Sequence, residues 1–292
     1  MKGSPACAII FRIMPADLHI HSSLSDGSDT PEEVVEKAKD AGLITISITD
    51  HDLIDGIDRA TEEGKKRGLS VIPGVEFTSE VPNAEVHILG YFIDHKSEHL
   101  RGVLNKIREE RRARIHKIAE KLKKIGIDLD PLKVLELAKD GSVGRPHVAR
   151  VLKDMGVVKT IRGAFDKYIG WNGPAYVPHY KLSPEEAIKL VLGVGGIPVY
   201  AHPAVSNCDD MIPELLSYGL RGIEAYYAGH SEETTKHYLA LAVRCDLLVT
   251  GGSDYHGVVG PREMKLGDFS IPDEIVDKLY QARDKEQCLR KI

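Results

Sequence analysis

Short β-branched runs alternate with amphipathic helical stretches along this chain, and nearly every run closes on a histidine or a carboxylate. From Ala16 to Phe92 the runs read ADLHIH, ITISIT, LSVIPG and EVHILGYF, with helical stretches at 31–41 and 57–68 between them. The last third repeats the habit: GIPVYAHP, GIEAYY and LLVTGGSD alternate with helical stretches at 184–193, 209–218 and 231–243. Strands that alternate with helices predict a mostly parallel sheet covered by helices. Sites in such folds gather at the carboxyl ends of the strands. His19, His21, His51, Glu76, His87, His202, Asp254 and His256 are therefore expected to meet on one rim, although they are scattered along the chain.

In an extended strand alternate side chains share a face, so within DLHIHSSLSDG the residues Asp17, His19 and His21 point one way and Leu18 and Ile20 the other. Two imidazoles on one face, with Asp26 close behind, are what a metal ion requires. A lone HxH is more often the wet face of a surface strand. His51 by itself reads equally well as a helix cap, His87 as a satisfied core histidine, and AHP as a turn. Together these readings fail, because chance would not set six of 13 histidines at strand ends beside acidic residues. Imidazole and carboxylate without thiolate suit Zn²⁺, Mn²⁺ or Fe²⁺ better than Ca²⁺. With Asp26 included, the donors exceed what one ion can use.

Composition removes several other classes. A chain of 292 residues buries a substantial core without staples, and its net charge of −5 argues against broad binding to a nucleic-acid backbone, duplex DNA included. Cys7, Cys208, Cys245 and Cys288 form no CxxC pair, so neither a thiolate site nor a disulfide framework is expected, and a reducing cytoplasm fits. The apolar run in MKGSPACAIIFRIM is broken by Arg12 and is too short for a signal or a membrane span. Residues 1–13 read as an N-terminal extension, with Met14 as an alternative start. There is no GxSxG elbow and no GxxxxGK[ST] loop. Gly193, Gly195 and Gly196 precede a strand, the wrong context for a dinucleotide fingerprint.

Residues 97–175 have a different texture. Leu104, Ile107, Ile115, Ile118, Leu122 and Ile125 fall at three-to-four spacing or its multiples, which predicts helix. The organisation expected is a main α/β domain built from 14–96 and 176–292, a barrel by the family resemblance given below, interrupted by a helical insert over 97–175 that covers the site. Lys and Arg between Lys106 and Lys124 are mixed with Glu109, Glu110 and Glu120, and read as a solvated helix face. In GRPH, Pro146 starts a helix and leaves Arg145 and His147 at an N-terminus that favours an anion. Arg145 is a candidate to hold a phosphate bidentately, with His147 beside it. His230 in YAGHS is a weaker candidate for the same task.

In their order, DLHIHSSLSDG, TDHD, GVE, HILGY, AHP and GSDYH resemble the motif series of the PHP (polymerase and histidinol phosphatase) superfamily, over residues 16 to about 260. The resemblance implies a distorted (β/α)₇ barrel, of the α/β class, with a cluster of usually three divalent ions (Mn²⁺, Zn²⁺ or Fe²⁺) at the C-terminal rim. It further implies that His19, His21, Glu76 and Asp254 hold one ion and that Glu76 bridges to a second, held by His87 and His202. Asp26, His51 and His256 would hold the third. Asp17 and Asp50 are assigned behind them, fixing the tautomers of ligating imidazoles.

The stretches VGRPHVARVLKDMGVV, AFDKYIG, GPAYVP and GIEAYYAGHS resemble the stand-alone phosphoesterases that include 3′,5′-nucleoside bisphosphate phosphatases, some of which also trim short RNA from its 5′ end. The activity implied is hydrolysis of a terminal phosphate of a small nucleotide by metal-bound hydroxide, with no Ser or Cys nucleophile. The rivals are a phosphatase for another phosphomonoester, histidinol phosphate included, and a metal-stabilised module without turnover. The complete donor set weighs against the last.

Overall fold

The computed structural model describes residues 15–81, 84–138, 141–178, 182–259 and 264–289, so the expected extension over 1–13 lies outside it. Strand β1 (Ala16–Ile20) leads to helix α1 (Pro31–Asp40), β2 (Thr45–Ile48), α2 (Ile57–Arg67), β3 (Ser70–Val81) and β4 (Ala84–Tyr91). Among the described residues four α-helices follow, α3 (Glu98–Lys124), α4 (Pro131–Ala138), α5 (Arg145–Asp154) and α6 (Ile161–Ala164), the last running into a π-helical turn at Phe165–Ile169. Alternation then resumes with α7 (Pro184–Gly193), β5 (Ile197–Tyr200), α8 (Pro203–Ser206), α9 (Ile212–Tyr218) and β6 (Gly222–Tyr227). The chain ends in α10 (Glu232–Arg244), β7 (Leu248–Gly252) and α11 (Asp273–Leu289).

The seven strands lie side by side in chain order. A bridge between Ile20 and Tyr255, and a 2.8 Å bond from the His21 N–H to the Tyr255 carbonyl, bring the last strand round to the first. The result is the nearly closed α/β barrel that the family resemblance implied. Strands β1, β2 and β5 are buried on both faces, as in sheets wrapped by helices.

The mostly parallel expectation needs one correction. β3 continues past Glu76 to Val81 and pairs antiparallel with β4 from Gly74 opposite Tyr91 to Val81 opposite Ala84, and β4 is also antiparallel to β5. The short link between β3 and β4 permits only a hairpin, since a parallel crossover takes a dozen residues or more. Glu76 and His87 are therefore mid-strand residues and not strand ends. They still reach the rim, because β4 runs down from it while β3 overshoots it.

Local chemistry sets the element boundaries. Thr30 accepts the Glu33 N–H while Glu33 reaches back to the Thr30 N–H, and Pro31 occupies the first turn of α1. Gly252, at the end of β7, packs against β1 so closely that a Cβ there would lie 2.4 Å from the His19 nitrogen. Inside the barrel Leu18, Tyr91, Val199 and Ile271 share one cluster. The first half of α3 joins a second cluster of the barrel through Leu100, Leu104 and Ile107. Its second half, through Ile115, Ile118 and Leu122, nucleates a separate cluster with Val134, Val148, Leu152 and Ile169.

Candidate metal centre

Glu76 stands at the middle of the rim, fully buried, and its two oxygens divide the histidines between them. Oε2 lies 3.3 Å from His19 Nε2, 3.1 Å from His21 Nε2 and 3.2 Å from His51 Nδ1. Oε1 lies 2.7 Å from His87 Nδ1 and 3.0 Å from His202 Nε2. Asp254 Oδ1 approaches His21 Nε2 at 3.2 Å and His19 Nε2 at 3.6 Å. On the far side Asp26 meets His256 Nε2 at 3.3 Å and His51 Nε2 at 3.9 Å. All nine expected donors thus converge. Three groups stand close enough to share an ion: His19, His21 and Glu76; His51, Glu76 and His87; and His21, Asp26, His51 and His256. His51 stands within reach of both Glu76 and Asp26.

The donor chemistry fits metal ions. Among the described residues, the buried atoms His19 Nε2, both ring nitrogens of His21, Asp26 Oδ1, Glu76 Oε2 and His202 Nδ1 have no hydrogen-bond partner. Buried polar atoms are rarely left so. Burial disfavours charge throughout, and at His19 and Glu76 the opposite charges outweigh it. His19 is raised well above the usual imidazole range, where burial is outweighed by Glu224 and Glu76 together, and Glu76 falls well below the carboxylate range, where burial is outweighed by His51, His19 and His87. His51 is pushed down to about 3 by burial.

Two donors are presented from strained backbone. His202 (φ 25°) and Asp254 (φ 55°) occupy the left-handed region, which non-glycine residues avoid unless their surroundings hold them there. The His202 N–H bonds Glu224 Oε2 at 2.7 Å and the Asp254 N–H bonds the His19 carbonyl at 2.9 Å. Tyr227 adds its hydroxyl to Asp254 Oδ2 at 3.0 Å.

Glu224, which the sequence reading passed over, takes the role expected of Asp17 and Asp50. On β6 and fully buried, it accepts from His19 Nδ1 at 2.9 Å. Asp17 and Asp50 are buried as expected, but their bonds go elsewhere. Asp17 Oδ1 takes the Ser253 N–H at 2.9 Å and the His19 N–H at 3.3 Å, and Asp50 takes the Ser22 N–H and the hydroxyls of Ser22 and Ser25 at 2.6–2.7 Å. They fix the loops that carry the donors, because hydroxyl and backbone donors lie nearer than any ring. Burial pushes Asp17 up to about 6.

A cavity opens beside the donors, lined by Asp26, His51 and His87 from the barrel and by Arg111, Arg114, Arg145 and Phe165 from the helical segment. Arg145 is there as expected, but its Nη2 holds both oxygens of Glu85 at 2.8 and 2.9 Å, and its guanidinium lies between the rings of Phe165 and Tyr176 at 5.7 Å from each. His147 does not line the cavity. It is buried, and its Nδ1 accepts the Gly144 N–H at 3.2 Å, which caps α5. His230 is also absent from the lining. Its Nδ1 faces the Ala225 carbonyl at 3.1 Å and its ring stacks on Tyr238.

The solvated-face reading of α3 needs revising at two positions. Arg111 and Arg114 are buried, at 8% and 5% exposure, the first paired with Asp52 of the loop after β2. They occupy the stripe Leu100, Leu104, Ile107, Arg111, Arg114, Ile118, Leu122, whose spacing marks them as inward-facing.

The PHP domain family model matches residues 17–139. The chain is 33% identical over 246 residues to a 3′,5′-nucleoside bisphosphate phosphatase of Chromobacterium violaceum, covering 82% of this chain and 86% of that protein. It is 35% identical over 254 residues to the 5′-3′ exoribonuclease Rnm of Salmonella typhimurium (82% and 84%). With a phosphoribosyl 1,2-cyclic phosphate 1,2-diphosphodiesterase of Eggerthella lenta it shares 31% over 263 residues (89% and 100%). A solved structure from Bifidobacterium adolescentis, described as a metal-dependent phosphoesterase, superposes with a TM-score of 0.83 at 33% identity, covering 92% of this chain and 96% of that one.

Proposed function

The chain belongs to the PHP domain family, and on that premise we propose that it is a metal-dependent phosphoesterase that removes a terminal phosphate from a nucleoside 3′,5′-bisphosphate. The observation that carries this reading is one cavity walled by metal donors and by three arginines. His19, His21, Glu76 and Asp254 would hold one ion; Glu76, His87 and His202 a second; Asp26, His51 and His256 a third. When bound, such ions polarise phosphoryl oxygens and bring the pKa of a water near neutrality.

The chain's own residues do the rest. Glu224 would keep a proton on His19 Nδ1 and so leave Nε2, 3.3 Å from Glu76, to hold an ion. The guanidinium groups of Arg111, Arg114 and Arg145 line the cavity and offset the charge of a doubly phosphorylated substrate. Asp17 and Asp50 hold the donor loops rigid through the bonds described above.

A second reading, trimming of 5′-phosphorylated short RNA, draws support from the aromatic rings at the cavity. Phe165 lines it and offers a ring for base stacking, and behind Arg114 and Arg145 the Tyr176 ring packs against Trp171 with ring centres 5.2 Å apart. One assay separates the readings. Phosphate or nucleotide release by the metal-reconstituted protein is measured on nucleoside mono- and bisphosphates, 5′-phosphorylated oligoribonucleotides and histidinol phosphate. A bisphosphate preference of roughly tenfold or more is the expected result. Preference for the oligonucleotide selects the second reading, and no turnover of any of them overturns both.

A further inference from the structure

The three cavity arginines differ in what already holds them. Arg111 is paired with Asp52, and Arg145 is clamped to Glu85. Arg114 makes no ion pair among the described residues. Its Nε donates to the Val177 carbonyl at 2.6 Å, its guanidinium lies 5.7 Å from the Tyr176 ring centre, and its buried Nη2 has no hydrogen-bond partner among the described residues. The Val177 bond holds the planar fork in place. The unpartnered edge belongs to a side chain that lines the cavity.

A buried guanidinium nitrogen without a partner is costly, and charge-assisted bonds to phosphate oxygens are among the strongest it can form. Burial, with the neighbouring cations Arg145 and Arg111, pushes Arg114 down to about 10, so an arriving anion relieves a crowded positive site and not a neutral one. We infer that Arg114, and not Arg145, anchors the phosphate that is not cleaved and thereby sets the preference for a doubly phosphorylated substrate. This rests on the phosphoesterase reading above. The donors on the barrel side would take the scissile phosphate, while Arg114 reaches in from the helical side of the same cavity.

The test uses the metal-loaded protein with a nucleoside 3′,5′-bisphosphate and with the monophosphate that lacks the uncleaved group. Arg114→Gln should lower the bisphosphate-to-monophosphate ratio of kcat/KM about 30-fold, mainly through KM, and Arg114→Lys should lose only part of it. Thermal unfolding is followed alongside, because loss of the Val177 bond alone would lower Tm and depress both substrates alike. That outcome, or a ratio that collapses in Arg145→Gln but not in Arg114→Gln, overturns the inference. Failure of the unmodified protein to hydrolyse any phosphoester would instead overturn the reading on which it rests.

Discussion

Glu224 of β6 and His19 of β1 meet in the nearly closed barrel with Oε1 and Nδ1 2.9 Å apart, and neither is exposed to solvent. A carboxylate in that position fixes the ring's tautomer and raises its basicity as a ligand. Glu224→Ala is expected to weaken metal binding about 10- to 100-fold, as removal of such partners usually does, and Glu224→Gln to do so less. Metal titration followed by elemental analysis measures it. Unchanged affinity in Glu224→Ala would show that His19 is oriented by packing alone.

Without metal the cluster is an ion-pair network whose members fail in opposite directions of pH. Burial opposes charge on His21, but Asp254, Glu76 and Asp26 outweigh it and raise the ring from 6.5 to about 10. Such a group stabilises the fold below its unfolded pKa, and the contribution is lost as pH climbs towards about 10. His51, pushed from 6.5 to about 3 by burial, costs stability as pH falls below 6.5, and the depressed carboxylates Glu76 and Asp26 add to the acid-side loss. Tm of the chelator-treated protein should therefore peak near pH 6.5 and decline on both sides. Loading with Mn²⁺ should flatten the alkaline decline, since the ring nitrogens then bind the ion instead of a proton. A metal-free Tm that rises steadily to pH 9 would count against this balance.

Asp52 and Arg111 tie the loop after β2 to α3, both nearly buried. Asp52→Asn leaves the guanidinium without its counter-charge and should cost about 3 kcal/mol, the low end for a broken buried pair because the cavity admits water. Urea denaturation measures the change. The double variant Asp52→Asn/Arg111→Met should recover a good part of it, and a single-variant loss near zero would mean the pair adds nothing to the fold.

Gly252→Ala tests the closure of the barrel. The added methyl would meet the His19 nitrogen at 2.4 Å and the His19 Cβ at 2.3 Å, and backbone cannot move aside cheaply. The variant should lose about 1–3 kcal/mol and bind less metal, because His19 shifts with its strand. Stability lost with metal content intact would separate the seam from the site.

Most of the nine donors were legible because an imidazole or carboxylate at the end of a β-branched run has few reasons to be there except a shared rim, while His87, inside its run, and Asp26, in a loop, were placed by the family resemblance. Glu224 carried a fainter signal, one acid inside the apolar strand GIEAYY, and its role appears only when β6 lies across from His19 and His202. Arg111 and Arg114 kept the helical period, but charge at such positions more often faces water, so their burial depends on Asp52 and the cavity, which are remote in sequence. The reversal of β4 was hidden for a different reason. A run such as EVHILGYF has the same alternation in either direction, and only the length of the link before it tells which way it runs.

That reversal makes α3 a spacer of set length. A strand directed away from the rim delivers the chain to the wrong end of the barrel, so whatever follows must travel back before it can meet the donors. Between Glu98 and Arg111 the helix rises about 20 Å at 1.5 Å per residue, comparable to the height of the strands it passes. The arginines reach the cavity at the end of that climb, and their phase is set by the apolar stripe beneath them. Removing four residues from the lower half of α3 would nearly preserve the facing of the stripe yet set both guanidinium groups about 6 Å short. If Arg114 anchors the uncleaved phosphate as inferred, substrate preference in this architecture becomes a matter of distance as well as residue type, open to change by insertion or deletion where the barrel's own donors are left alone.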